Sequence, residues 1–232
     1  AVKGDVEGIT LSLEIHKDSV SDNLQMVCDL SCTPLMYAVM SGSVECVQVI
    51  LETIHKTFGE NDKAILNVKD STGKSALAVA ASLAGIGENS AHCRCASLLI
   101  EAGADISSVS SDGKTILMFL SISGQSFFAK SLIKLDKHID LDARDDANMS
   151  AIGYAAVNGH VDMLNTLQSS YPKQNSTTDD DNQREVMSKV HLDNLRMALI
   201  STSRTCHVKC LEALISVCGV DVNISEEDSK IT

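Results

Sequence analysis

Apolar residues recur along the chain in short helical blocks, arranged in pairs that are separated by glycine turns. The first block of each pair begins at a similar phrase, at Thr33, Ser75, Thr115, Ser150 and, in a degraded form, Met197. These starts are 42, 40, 35 and 47 residues apart. A helical unit that recurs at such a period predicts a solenoid, in which each repeat buries its core only against its neighbours.

Each unit predicts two helices and two turns. A turn with Asp or Gly comes first, and Ser or Thr then caps a short alanine-rich helix by accepting hydrogen bonds from unpaired backbone N–H groups. A glycine turn follows, as at 41–43 and 158–160. The second helix has apolar residues three and four apart, as at Val161, Leu164 and Leu167, which predicts one buried face.

Four motifs give the chain a resemblance to the ankyrin repeat family. They are Thr-Pro-Leu at 33–35, Gly-Ala-Asp-Ile at 103–106, Gly-His-Val-Asp at 159–162 and Gly-Val-Asp-Val-Asn at 219–223. The resemblance covers nearly the whole chain. It implies an all-α fold, an ankyrin-type α-solenoid of stacked helix-turn-helix repeats with β-hairpin-like fingers.

The repeats predict a single domain over 1–232, with about five full repeats and a partial repeat at each end. The boundaries fall near 1–27, 28–66, 67–107, 108–143, 144–189, 190–224 and 225–232. The insertion 169–189 is rich in polar residues and is expected to form a surface loop. Because both ends resemble parts of further repeats, we expect a segment of a larger protein.

Composition narrows the classes of partner. The net charge of −12 disfavours nucleic acid, which needs clustered Lys and Arg, and favours a basic segment on a protein. The eight cysteines mostly occupy apolar helix positions. This predicts free thiols in a reducing compartment, the cytoplasm or the nucleus. No apolar run approaches the roughly 18 residues of a membrane span, so membrane insertion is not expected.

The sequence contains no motif that indicates a catalytic or cofactor-binding site. The tripeptides at 73–75 and 113–115 end like a phosphate-binding loop, but Val68 and Ser108 stand where that motif needs glycine. No grouping of Ser, His and acid indicates a nucleophile. We expect no enzyme activity, no cofactor and no small-molecule substrate.

Cysteine and histidine residues, which are the usual ligands of structural zinc, occur close together in three places. These are Cys28 with Cys32, Cys206 with Cys210, and 92–95. A structural site needs four converging ligands, and residues two apart on a helix point to different faces. We interpret these cysteines as buried apolar residues, and no metal is expected.

The family resemblance also places the partner, along the finger tips and the exposed side of the first helices. The corresponding residues here are Leu30, Met40, Ser71, Lys74, Ser111, Asp112, Lys114, Ile122, Asp146, Met149, Asn158, Arg196 and Arg204. Apolar residues where exposure is expected favour an interaction surface: Leu30, Met40, Leu83, Ile122, Met149 and Val157. The alternative is that the insertions bury some of them.

A phosphorylation site is the remaining candidate. Ser176, Thr177 and Thr178 each have Asp three residues further on, which resembles the preference of acidophilic kinases. Phosphate there would deepen an acidic patch for a basic partner. The alternative is a merely solvated polar segment.

The sequence therefore predicts a non-enzymatic protein-protein interaction or scaffold module that binds a protein or peptide. The first alternative is an intramolecular regulatory or assembly domain of a larger channel, kinase or ubiquitin ligase. The second is a catalytic or metal-binding protein.

Overall fold

The structure is a computed structural model that describes residues 32–58, 62–85, 90–136, 139–171 and 181–218. It divides into two compact units, Ala1–Ile116 and Leu117–Thr232. The helices of unit 1 are α1 (Pro34–Met40), α2 (Val44–Phe58), α3 (Asp62–Leu66), α4 (Ala76–Leu83) and α5 (Ala91–Glu101). Those of unit 2 are α6 (Ile116–Ser123), α7 (Ser126–Leu135), α8 (Ala151–Val157), α9 (Val161–Ser170), α10 (Asp181–Thr205) and α11 (Val208–Cys218).

Each unit is built from two layers of helices. In unit 1 the first helices α1 and α4 pack together, and the second helices α2 and α5 form the other layer. In unit 2, α8 packs against α10, while α9 packs between α7 and α11. Alanines such as Ala38, Ala80 and Ala155 are fully buried in the first helices. These small side chains let neighbouring helices approach closely, so the all-α repeat fold is confirmed.

A buried hydroxyl starts three of the first helices, as the sequence predicted. The side-chain oxygen of Thr33 accepts a hydrogen bond from Met36 N, that of Ser75 from Ala78 N and that of Ser150 from Gly153 N, each at 3.3 Å. Each hydroxyl satisfies a backbone N–H that the helix itself cannot pair. The preceding backbone is thereby freed to form a turn.

Histidines pack on the glycine turns of the preceding repeat. Gly124 and Gly159 have positive φ, and a Cβ at either position would lie within 3 Å of the ring of His160 or His207. His160 Nε2 also donates to the carbonyl of Ile122 at 3.0 Å. Both histidines therefore have a structural role.

The loop predicted over 169–189 is wrong for its described ends. Ser169 and Ser170 belong to α9, and 181–189 form the first turns of α10. Polarity does not prevent a helix, and Gln, Arg, Glu, Met and Lys, which are good helix formers, occupy much of 183–189. The next Ser or Thr cap is missing because Met197 occupies that place, so nothing stops the helix before Thr205.

Cys206 occupies a turn position that glycine fills in three other repeats, at Gly42, Gly124 and Gly159. Its φ is +58°, against +68° for Gly42 and +79° for Gly159. A residue with a Cβ is strained in this left-handed region.

The Cys206→Gly variant should therefore unfold with a free energy about 1 kcal/mol higher than the parent. Cys206→Ser is the control, because it removes the thiol and keeps the Cβ. Denaturant unfolding of all three proteins gives the comparison. An equal gain in the serine variant, or none in the glycine variant, would contradict the assignment of strain.

Candidate functional site

The first described finger of unit 1 is a tight turn from Asp70 to Lys74. Asp70 N donates to the carbonyl of Lys74 at 3.0 Å. Asp70 Oδ1 accepts from Thr72 N at 2.8 Å and from Lys74 N at 2.9 Å. The carboxylate thus satisfies the inner backbone of the turn, while Ser71 and Thr72 are exposed at its tip.

The second finger repeats this geometry with a hydroxyl. Ser110 N donates to the carbonyl of Lys114 at 3.0 Å, and Ser110 Oγ accepts from Lys114 N at 3.1 Å. At the tip, Asp112 accepts from both Lys114 Nζ and the Ser110 hydroxyl. These two hydrogen bonds lower the pKa of Asp112 to about 2. Its carboxylate is therefore ionised at neutral pH.

The two fingers are held together by their backbones. Ser111 N donates to the carbonyl of Thr72 at 3.0 Å, and Lys69 Nζ donates to the carbonyl of Val109 at 2.7 Å. Gly73 makes this approach possible, because its φ is +74° and a Cβ there would lie 2.4 Å from Ser111 N. The finger tips of unit 1 are consequently fixed relative to each other.

Unit 2 has one such finger among its described residues, from Asp145 to Met149. Asp145 Oδ1 accepts from Met149 N at 2.9 Å, and Asp145 Oδ2 accepts from the Tyr154 hydroxyl. Only 6% of Asp145 is exposed, whereas Asp146 is exposed at the tip. The backbone forms no strand in the described part of the chain, only an isolated bridge between Arg144 and Ser150.

A helix, rather than another finger, lies beside this turn. Asn194 of α10 donates to Asp142 Oδ1 at 2.8 Å, and its side-chain oxygen accepts from Arg144 Nε at 2.8 Å. Asn194 is almost completely buried. The finger is therefore bordered by α10 on that side.

Two rings complete this polar cluster. The Tyr171 hydroxyl donates to Asp142 Oδ1 at 2.8 Å, and the rings of Tyr171 and His191 have centroids 3.6 Å apart. His191 Nδ1 lies 3.8 Å from Asp142 Oδ1. Although burial raises the pKa of Asp142, these polar neighbours more than offset it, so the pKa is lowered. Burial, with the charge of Asp142, raises the pKa of Tyr171. Tyr171 precedes 172–180, and His191 and Asn194 follow it. The cluster therefore holds the chain on both sides of this segment against the residues next to the finger.

In unit 1 the structure exposes most of the residues predicted to bind a partner. Ser71, Ser111 and Asp112 are exposed at the finger tips, and Lys74 and Lys114 are half-buried at the finger bases. The apolar residues that end the first helices are also exposed. These are Met40, which is 48% exposed, and Leu83, which is 43% exposed.

In unit 2 the predicted residues are more dispersed. Asp146 and Asn158 are exposed, at the finger tip and after α8, and Arg204 is exposed near the end of α10. The apolar residues Ile122, Met149 and Val157 are half-buried.

The prediction that Arg196 is a finger residue is wrong. It lies inside α10, half-buried, with one guanidinium nitrogen 3.5 Å from Asp193 Oδ1. The helix continues through this position because neither a glycine turn nor a hydroxyl cap interrupts it. The predicted partner residue Leu30 and the predicted phosphorylation sites Ser176, Thr177 and Thr178 lie outside the described residues.

Sequence reasoning missed the cluster around Asp142. Its members come from three separate segments, and no spacing links Asp142 to Tyr171 and His191. The signal available in the sequence was Met197, which stands where other repeats have a capping Ser or Thr and therefore indicated a longer helix. That helix includes Asn194, which is buried.

A comparison with protein families decides which solenoid this is. A family model of ankyrin repeats, three copies in length, matches residues 1–109 and 85–179. The chain is a member of the ankyrin repeat family. Ankyrin repeats are generally protein–protein interaction modules, and their domains are typically non-catalytic. A search of curated proteins finds no match.

The thiols that the structure describes are not paired with one another. All six cysteines that the structure describes with their side chains are free, and Cys206 is the exposed one among them. Burial raises the pKa of Cys95 and of Cys210, which keeps both thiols protonated and unreactive. Among the described residues no three His, Cys, Asp or Glu side chains are placed to hold a metal ion. None of the described helices has the length and apolar composition of a membrane span.

The contact between the two fingers of unit 1 gives a direct test. Gly73→Ala should lower the free energy of unfolding by about 2 kcal/mol or more, because strain at positive φ adds to a backbone clash. Gly103→Ala is the matched control, since Gly103 has φ +92° and only the flexible end of Lys63 near its would-be Cβ. That variant should lose about 1 kcal/mol. Equal losses in urea unfolding would show that the fingers are not in close contact.

Proposed function

We propose that this ankyrin domain is a non-enzymatic protein-binding module whose partner contacts the finger tips and the exposed ends of the first helices. Membership of a family that generally binds proteins supports the class of function. The geometry of unit 1 supports the surface.

The observation that carries this proposal is the fixed pair of fingers in unit 1. The Ser111–Thr72 hydrogen bond sets their spacing, and each turn is closed by its own side chain. A surface that is already ordered loses little conformational entropy when a partner binds. Polar tips and the exposed ends of α1 and α4, Met40 and Leu83, together offer hydrogen bonds and apolar area.

Charge supports a basic segment on the partner. The chain carries a net charge of −12. Such a field steers cationic segments toward the surface and raises their association rate. We propose that the encounter takes place in the cytoplasm or the nucleus, where the free thiols stay reduced.

The test is partner capture with charge-matched variants. Met40→Glu/Leu83→Glu places two carboxylates on the proposed surface, whereas Gln48→Glu/Ser97→Glu places two on exposed positions of the second helices α2 and α5. Immobilised parent and variants are incubated with extract from source cells, and captured proteins are quantified by mass spectrometry. Circular dichroism and thermal unfolding confirm that all three proteins are folded.

A partner held by the parent and by the control variant should be lost at least about tenfold with Met40→Glu/Leu83→Glu, because buried apolar anchors dominate binding energy. Equal retention by all three proteins would contradict the proposed surface. Capture of nothing by the parent would contradict binding to a separate protein.

A further inference from the structure

The helix α7, which is the second helix of its repeat, has an exposed face of unusual composition. Phe127, Lys130, Ser131, Lys134 and Leu135 are all exposed. Residues spaced by three, four, seven and eight positions lie on one side of a helix. This exposed α7 face belongs to the second-helix layer, so it is separate from the fingers and first helices of the proposed function.

The apolar part of this face is not required by the core. Phe127 is 53% exposed and Leu135 is 63% exposed, while the adjacent Phe128 is buried and anchors the helix. Burial of an exposed aromatic ring by a partner is favourable, because it lowers the free energy of the complex. The two exposed side chains therefore offer anchoring area at either end of α7.

The basic part of the face has no neutralising partner among the described residues. Lys130 and Lys134 form no ion pair with any residue that the structure describes. The neighbouring helix α9 exposes Asp162, Asn165 and Ser169, of which only the first carries a charge. In a chain of net charge −12, two ammonium groups on the same helix face as an aromatic ring, with no ion pair to a described residue, are a local exception.

Two other second helices, α2 and α9, show that the fold does not demand these residues. The glycine turns align Phe127, Lys130 and Lys134 of α7 with Glu45, Gln48 and Glu52 of α2. They align the same three with Asp162, Asn165 and Ser169 of α9. All six equivalent residues are exposed and polar. A specific interaction therefore accounts for the α7 residues better than packing does.

We infer that the exposed α7 face binds an acidic amphipathic segment of a protein partner. The ten residues of α7 extend over about 15 Å, which matches about three turns of a bound helix. Carboxylates one turn apart on the segment pair with Lys130 and Lys134, and its apolar residues cover Phe127 and Leu135. An anionic membrane fits less well, because lipid-binding clusters use about four to eight basic residues and each adds only about 1 kcal/mol.

The experiment is a selection from a displayed library of random 16-residue peptides on the parent protein. The variant Phe127→Glu/Lys130→Gln/Lys134→Glu reproduces the exposed residues of α2 and should fold as the parent does. Gln48→Glu/Ser97→Glu serves as the control with altered charge on other second helices. Selected peptides are synthesised, and their affinities for the three proteins are measured by fluorescence anisotropy at two salt concentrations.

Peptides rich in Asp, Glu and aromatic or aliphatic residues should be enriched. They should bind the α7 variant at least about tenfold more weakly than the parent or the control, and more weakly still at high salt. Enriched peptides that bind the α7 variant as tightly as the parent would overturn the inference. So would a selection that enriches no acidic peptide.

Two further measurements separate the other occupants. Parent protein that sediments with phosphatidylserine vesicles, and a variant that does not, would assign the face to membranes and overturn the inference. A concentration-dependent dimer of the parent that the α7 variant abolishes would assign the face to a second copy and would likewise overturn the inference. Neither result bears on the finger surface, whose test uses different residues.

Discussion

A hydroxyl cap at the start of a first helix, found in α1, α4 and α8, is the interaction on which the finger surface depends. Thr33, Ser75 and Ser150 are buried, and each accepts a hydrogen bond from a backbone N–H that the helix cannot pair. Such a cap contributes about 1 kcal/mol, a large share of the margin by which a small repeat is stable. Because the cap fixes the residue at which the helix begins, the residues before it are left to form a finger.

The finger surfaces of the two units differ because their caps and turns differ. In unit 1 two fingers stand side by side, the first of them directly before the Ser75 cap, and Gly73 lets the two fingers join through a backbone hydrogen bond. In unit 2 the finger at Asp145–Met149 has α10 beside it, held by Asn194. The cap that would have made another finger is replaced by Met197. The length of α10 thus follows from one missing hydroxyl and the absence of glycine before it.

Most of the architecture could be predicted from the sequence, because the features that specify it are local. A cap, a glycine turn and an apolar helix face each occupy a few consecutive residues, and they recur. The prediction was wrong for 181–189, because polar composition was taken to mean a loop although the residues favour a helix. It was wrong for Arg196, because the finger position was carried over from the family pattern to a place where α10 continues.

The candidate surfaces were less predictable, because exposure is set by neighbouring repeats. Met40 and Leu83 are exposed as expected, whereas Ile122, Met149 and Val157 are half-buried. The cluster of Asp142, Tyr171, His191 and Asn194 joins residues distant in the chain, which no local pattern reveals. The exposed α7 face could have been found by aligning the second helices with one another, since Phe127 stands where Glu45 and Asp162 do.

Amide hydrogen exchange across 190–200 tests the central claim most directly. If the missing cap lets α10 run through the site of the lost finger, the amides of 194–197 are hydrogen-bonded within the helix. They should then exchange at least about a hundredfold more slowly than an unstructured chain. The amides of Ala155 and Ala156 in α8 provide the internal reference for a helix in the same unit. Unprotected amides at 194–197, with protection beginning only near Ile200, would place a finger there and contradict the account.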